Sequence, residues 1–237
     1  CSVNPKEALD TMAIGTYNVV ESCLKHNVKK LVAASSASIY GMADSFPTQE
    51  NHHPYNNRTF YGALKTFNEL MFRSFNEMQD LNYVALRFFN IYGSRMDTDG
   101  KYTEVLIKWY RAIQEGISPK IFGDGKQTMD FVSVEDIARS CICALKAEVT
   151  DTVYNVASGK EVSLEELCFA LLNAMNSNLQ PEYVSIPEER KKVEVLKRRA
   201  DITAAKNDLN FESTINLEDG LGKLVNWMNN LNKGNYE

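Results

Sequence analysis

The sequence predicts a doubly wound parallel α/β sheet joined to a smaller α/β lobe. Short apolar runs without period-two alternation, such as Leu31-Val32-Ala33-Ala34, read as parallel strands covered on both faces. Amphipathic helical stretches separate these runs, the alternation that builds strand–helix–strand units. Ser36 and Asn90 stand at the carboxyl ends of two such runs, where open α/β sheets carry their sites.

Pro5, at home in the first turn of a helix, opens a long amphipathic helix through about Asn27. Ala8, Met12, Ile14, Val19, Val20 and Leu24 form its apolar positions. The strand at Leu31–Ala34 follows, then a loop over 42–59 rich in Asp, Pro, Asn and His. A second long helix spans about Phe60 to Gln79, and Tyr83 to Asn90 is the next strand. A helix over 101–116 leads to short strands at Pro119–Gly123 and Thr128–Val134, then a helix from Glu135 to Lys146. Val153–Val156 is a strand, Leu164–Met175 a helix, and Leu217–Leu231 a terminal helix.

The helices at 5–27 and 60–79 carry apolar residues on more than one face, including Phe67, Leu70, Met71 and Phe75. One face covers the sheet, so the other predicts a homodimer formed as a four-helix bundle.

With 44% hydrophobic residues the chain can build a substantial core, and a net charge of −5 gives no sign of a nucleic-acid partner. No apolar segment approaches the length of a membrane span. The five cysteines lack a C-x-x-C pair, and His26, His52 and His53 make no metal-ligand spacing with them. These features read as a cytoplasmic soluble enzyme without disulfides or metal.

The chemistry concentrates in Tyr61-Gly-Ala-Leu-Lys65. Residues at i and i+4 lie one turn apart on one helix face. A phenol with a pKa near ~10 is a poor base at neutral pH. A fixed ammonium favours the phenolate and brings proton abstraction within reach. Ser36, at the end of the preceding strand, can hydrogen-bond the same reacting oxygen. Taken alone, the Tyr–Lys pair is equally a core aromatic beside a solvated Lys, and its neighbours decide between the two.

Those neighbours come in a fixed order. They are Gly15-Thr16-Tyr17-Asn18-Val19, Ser35 to Gly41, Pro47-Thr48-Gln49-Glu50, Tyr61 to Lys65 and Leu86-Arg87-Phe88-Phe89-Asn90-Ile91-Tyr92-Gly93. Ile121-Phe122-Gly123-Asp124-Gly125, Asp130-Phe131-Val132 and Tyr154-Asn155-Val156-Ala157 continue the series. Over nearly all of residues 4–230 the chain resembles the extended short-chain dehydrogenase/reductase family, in its NAD-dependent nucleotide-sugar epimerase/dehydratase branch.

The resemblance implies a Rossmann-like fold with NAD as cofactor and a nucleotide-diphosphate sugar as substrate. Residues 1–93 and 130–156 would belong to the cofactor domain, and 94–129 and 157–237 to the substrate lobe. Tyr61 would be the base that takes a sugar hydroxyl proton while hydride leaves the same carbon. Lys65 would hold the nicotinamide ribose, and Ser36 would orient the hydroxyl. Ser35 and Phe89 would also meet the cofactor, Phe89 being equally a core aromatic. Asn90, Phe122 and Arg190 would contact the nucleotide sugar, although Asn90 could also simply end a strand in an Asx turn. An epimerase of this kind works at C4, the 4-keto sugar turning over in the pocket before hydride returns.

Several departures qualify this expectation. None of the 12 glycines forms the Gly-rich turn that holds dinucleotide pyrophosphate. The chain therefore reads as a C-terminal portion lacking roughly 60–80 residues of strand–helix units. Such a fragment would be inactive alone, with Leu31 to Ala34 fully buried beside strands supplied from elsewhere. Met129 stands where the family has a diphosphate-binding Arg, and Met12 where it has an Asn. Lys101, Lys126 or Arg190 could take over the diphosphate contact. Arg190 is followed by Lys191-Lys192-Val193-Glu194, a loose match to the family segment. Dehydratases of the branch carry an acidic residue near Ser38, and here the run is Ser36-Ala37-Ser38. That favours epimerisation or simple redox chemistry over dehydration, with a nucleotide-sugar reductase or dehydratase of the branch as the second reading. A degenerate scaffold is the remaining alternative, and the intact Ser36, Tyr61 and Lys65 argue against it.

Overall fold

The computed structural model describes residues 1, 3–98, 105–187 and 195–232. In chain order, Pro5–Leu9 (α1), a π-helical turn at Asp10–Ile14 and Gly15–Lys25 (α2) precede Leu31–Ser36 (β1) and Phe60–Gln79 (α3). Tyr83–Phe88 (β2), Asn90–Tyr92 (β3), Val105–Gln114 (α4), Lys120–Phe122 (β4) and Thr128–Met129 (β5) follow. Next come Phe131–Ser133 (β6), Val134–Lys146 (α5), Thr152–Val156 (β7), Val162–Ser163 (β8) and Leu164–Ala174 (α6). Glu182–Val184 (β9), Thr203–Leu209 (α7) and Leu217–Asn232 (α8) complete the series.

β1, β2 and β7 form a parallel sheet in the order β1-β2-β7, with Leu31 opposite Tyr83 and Phe88 opposite Val156. Alternate residues of a strand face opposite sides. Tyr83 and Ala85 accordingly pack with Val20, Met71 and Phe72 of α2 and α3. Val84 and Leu86 pack on the other side with Ile137 of α5 and with Ala205, Leu209 and Phe211 in and after α7. Helices thus cover both faces, as the apolar strand pattern predicts. A separate core gathers Leu106, Trp109 and Tyr110 of α4, Leu167 and Leu171 of α6, and Leu221 and Leu224 of α8. The strand pairs β3–β6 and β4–β9 are parallel, and β5–β8 is antiparallel.

The first long helix ends at Lys25 and is interrupted by the π turn, where the Thr16 hydroxyl donates to Met12 O (2.6 Å). The predicted 101–116 helix is described only as Val105–Gln114, residues 101–104 lying outside the described residues. The single strand expected through Asn90 divides into β2 and β3, because Phe89 N donates to Val156 O while Asn90 N turns to Asp130 O. Leu31, Val32 and Ala33 are half-buried and Ala34 is exposed. The reason is topological: β1 is an edge strand paired with β2 alone among the described residues. The short helix α7 and strands β8 and β9 have no counterpart in the sequence reading. α7 follows the proposed boundary at 157, yet its apolar face lies on the three-stranded sheet.

Candidate active site

β1 ends at Ser36, whose hydroxyl accepts from Ser38 N (3.1 Å) and starts a 3-10 turn at Ala37–Ile39. Helix α3 begins against this turn. The Thr59 hydroxyl caps it by accepting from Gly62 N (3.1 Å), satisfying one of the free first-turn amides. Gly62 permits the approach: a Cβ there would lie 2.5 Å from Ser38 O. Tyr61 immediately precedes Gly62, so close contact between α3 and the turn brings it to the cavity that Ser36 and Ser38 also line.

These residues line a cavity of about 410 Å³ together with Lys65, Asn90 and Arg198. Phe88, Phe89, Met96, Leu106 and Phe131 supply its apolar wall. The Lys65 ammonium lies 5.7 Å from the centre of the Tyr61 ring and donates to Ala34 O (2.8 Å). Burial holds its pKa below the usual ammonium range, and the Glu69 carboxylate pulls in the opposite direction. The Tyr61 hydroxyl makes no hydrogen bond among the described residues, and Tyr61 lines the cavity.

Asn90 reaches the cavity from β3, where its N–H donates to Asp130 O (3.1 Å). The Asn90 amide oxygen is buried with no hydrogen-bond partner among the described residues. A bound ligand is the natural group to satisfy it, because an unpaired buried acceptor is costly. The Asp130 side chain is buried and accepts from Ser158 N (2.8 Å), Gly159 N (3.0 Å) and Ala200 N (3.3 Å). Burial pushes this carboxyl up to about 6 against those donors. Asp130 thereby joins the backbone that holds Asn90 to the segment that carries Arg198.

Ser35 borders the same cavity, but its hydroxyl turns away and donates to Glu69. Phe122 lies on β4, outside the lining of this cavity, and Arg190 lies outside the described residues. Lys197-Arg198-Arg199 closes the basic segment that begins at Arg190. The structure holds this run by bridges from Thr128 to Lys197 and from Thr48 to Ala200, and so brings Arg198 into the cavity wall. No local pattern marks Arg198 for that place. Met129, by contrast, is paired with Val162 in the β5–β8 ladder and does not line the cavity.

His52 and His53 lie together on the loop before α3, and both meet Asp44, with His52 Nε2 2.9 Å from its carboxylate. His53 Nδ1 accepts from Tyr55 N (3.3 Å), which leaves the His53 proton on Nε2, facing Asp44. Asn56 Nδ2 also donates to that carboxylate (3.3 Å). Asp44 is therefore a hydrogen-bonded tie for the loop.

Residues 1–157 match the model of the NAD dependent epimerase/dehydratase family. The chain belongs to this family. It is an enzyme of the family's nucleotide-sugar epimerase branch. It is 33% identical over 231 residues to a putative UDP-glucose 4-epimerase of Methanocaldococcus jannaschii, covering 97% of this chain and 73% of that one. A UDP-glucuronate 4-epimerase of Thermodesulfobacterium geofontis is 34% identical over 225 residues, covering 94% and 67%. Among solved structures, a UDP-N-acetylglucosamine 4-epimerase of Methanobrevibacter ruminantium superposes with a TM-score of 0.90 at 29% identity. That match covers 97% of this chain and 72% of the other.

NAD is the family's cofactor, and the residues present fit its nicotinamide–ribose end. Lys65 and Tyr61 offer an ammonium and a phenol on one helix face, against an apolar wall able to take a flat ring. The described residues include no Gly-rich strand–helix turn for the pyrophosphate.

Proposed function

We propose that this epimerase inverts C4 of a UDP-linked sugar, with Tyr61 as the acid–base residue. The observation that carries this reading is the convergence of Ser36, Tyr61, Lys65 and Asn90 on one cavity with no carboxylate among its described lining residues. Bound NAD supplies the hydride acceptor and donor. Tyr61 takes the proton of the C4 hydroxyl at its phenol oxygen and returns a proton when the alcohol is restored. Lys65 stabilises the phenolate and orients the ribose, and Ser36 hydrogen-bonds the reacting oxygen. Loss of water needs an additional acid beside the sugar, and the cavity's composition favours epimerisation over that route. Its apolar wall keeps water from the reacting carbon.

Arg198 supports a nucleotide diphosphate as substrate, since a guanidinium suits phosphate oxygens. Phe122 and Arg190 are assigned to the nucleotide side of the substrate, and the backbone at Ser35 and the ring of Phe89 to the cofactor. The test is incubation of the holoenzyme with UDP-glucose, with and without added NAD, followed by proton NMR of the anomeric signals. UDP-galactose is the expected product. Exclusive formation of a dehydrated or decarboxylated sugar overturns the reading.

Homodimerisation through α1–α2 and α3 is part of the same proposal. Ile14 is 53% exposed and Leu70 60% exposed, and Val19 and Phe67 lie exposed on the same helices. A second copy would bury this apolar surface. Light scattering at micromolar concentration is expected to give the mass of two chains, and a monomer rejects the dimer. The five cysteines, all without disulfides, support a cytoplasmic setting, where thiols stay reduced.

A further inference from the structure

Two adjacent residues of β1 are fastened to α3 by residues one helical turn apart. Ala34 O accepts from Lys65, and the Ser35 hydroxyl donates to Glu69. Ser36, the next residue, lines the cavity and carries its hydroxyl there. Glu69 in turn is gripped by Arg87 of β2, through Nη2 to Oε2 (2.6 Å) and Nε to Oε1 (3.0 Å). Both side chains of this ion pair are only 9% exposed. Arg87 Nη1 also donates to Tyr40 Oη (2.9 Å) and to Glu50 O (2.7 Å). The clamp is thus fixed from the turn after β1 and from the loop before α3.

We infer that Glu69, held by Arg87, is a positioning residue for Lys65 and Ser36. It touches neither cavity nor substrate and acts through the two residues that do. Its first effect is geometric: it fixes the register between the end of β1 and the helix face carrying Tyr61 and Lys65. Its second effect is electrostatic. Burial lowers the pKa of the half-buried Lys65, and Glu69 is the carboxylate that opposes this shift. The charged and titratable groups around Lys65 are Tyr61 and Glu69 on its own helix, Arg87 behind Glu69 on β2, and Arg198 across the cavity. Among the described residues, no carboxylate lines the cavity itself.

The two members of the clamp should therefore move Lys65 in opposite directions. Glu69→Gln removes the attraction and leaves the Arg87 charge uncompensated, so the Lys65 titration midpoint falls. Arg87→Met leaves Glu69 uncompensated, so the midpoint rises. Replacing a buried ion pair with apolar residues of similar volume costs far less stability than removing one partner. The Glu69→Met/Arg87→Met variant is therefore the folded reference, with a lowered midpoint expected.

This inference rests on the catalytic reading of Lys65, but its test does not need turnover. Carbon-13 at the lysine Cε, assigned to Lys65 with a Lys65→Arg variant, reports the ammonium directly in an NMR pH titration of the full chain. A parallel pH–rate profile should lose activity on its alkaline side at lower pH in the double variant than in wild type. A Lys65 midpoint unchanged in the double variant overturns the inference. A shifted midpoint in an enzyme with no epimerase activity retains the clamp and rejects the epimerase assignment instead.

Discussion

Tyr61→Phe lowers kcat by ~10²–10⁴-fold, the range typical of a lost general acid–base group. The substitution removes one oxygen and retains the ring, so the start of α3 and its contact with the Ser38 turn stay in place. Lys65 retains its bond to Ala34 O, and the apolar wall is untouched. NAD affinity measured by calorimetry should consequently change little while turnover collapses. The loss should sit in kcat and not in KM, because the interaction is made with a proton in transit and not with the resting substrate. Wild-type turnover in this variant would remove Tyr61 from the mechanism.

Arg87→Met destabilises the fold by about 3–5 kcal/mol, the cost of leaving one member of a buried ion pair without the other. Glu69 would retain the Ser35 hydroxyl as a donor and lose the bidentate guanidinium. The damage extends further, because Arg87 also holds Tyr40 and the Glu50 carbonyl. Tyr40 Oη donates to Asn155 Oδ1 (2.6 Å), and Asn155 N donates to the Glu50 carboxylate (2.8 Å). One side chain thus links β1, β2, β7 and the loop before α3. For a chain of 237 residues, the cost corresponds to a melting temperature lower by roughly 6–20 °C, at about 2–4 °C per kcal/mol. A calorimetric scan measures this. Recovery of most of the loss in the Glu69→Met/Arg87→Met variant would identify the stranded carboxylate as its cause, whereas an undiminished loss would assign it to Tyr40 and Glu50.

The elements of the catalytic set were legible because each is local. Tyr61 and Lys65 lie on one face through helical periodicity alone, and Ser36 and Asn90 stand at strand ends marked by apolar runs. A helix on either side of the sheet follows from the non-alternating strands, and β2 conforms, with Tyr83 and Ala85 on one face and Val84 and Leu86 on the other. Boundaries fared less well. The π turn at Asp10–Ile14 retains the helical pattern of apolar residues, and α7 is too short for periodicity to reveal.

By itself, then, the sequence determined the α/β layering and the family and singled out the proposed acid–base pair, since repeating patterns and contiguous motifs encode these. Tertiary structure alone decided which charges surround that pair. Glu69 meets Arg87 across 18 positions and Ser35 across 34, separations at which no spacing rule operates. Arg198 enters the cavity because its strand-like segment is stitched to Thr48 and Thr128, far earlier in the chain. Burial and charge pairing depend on which elements meet, and that is fixed only when the chain closes on itself.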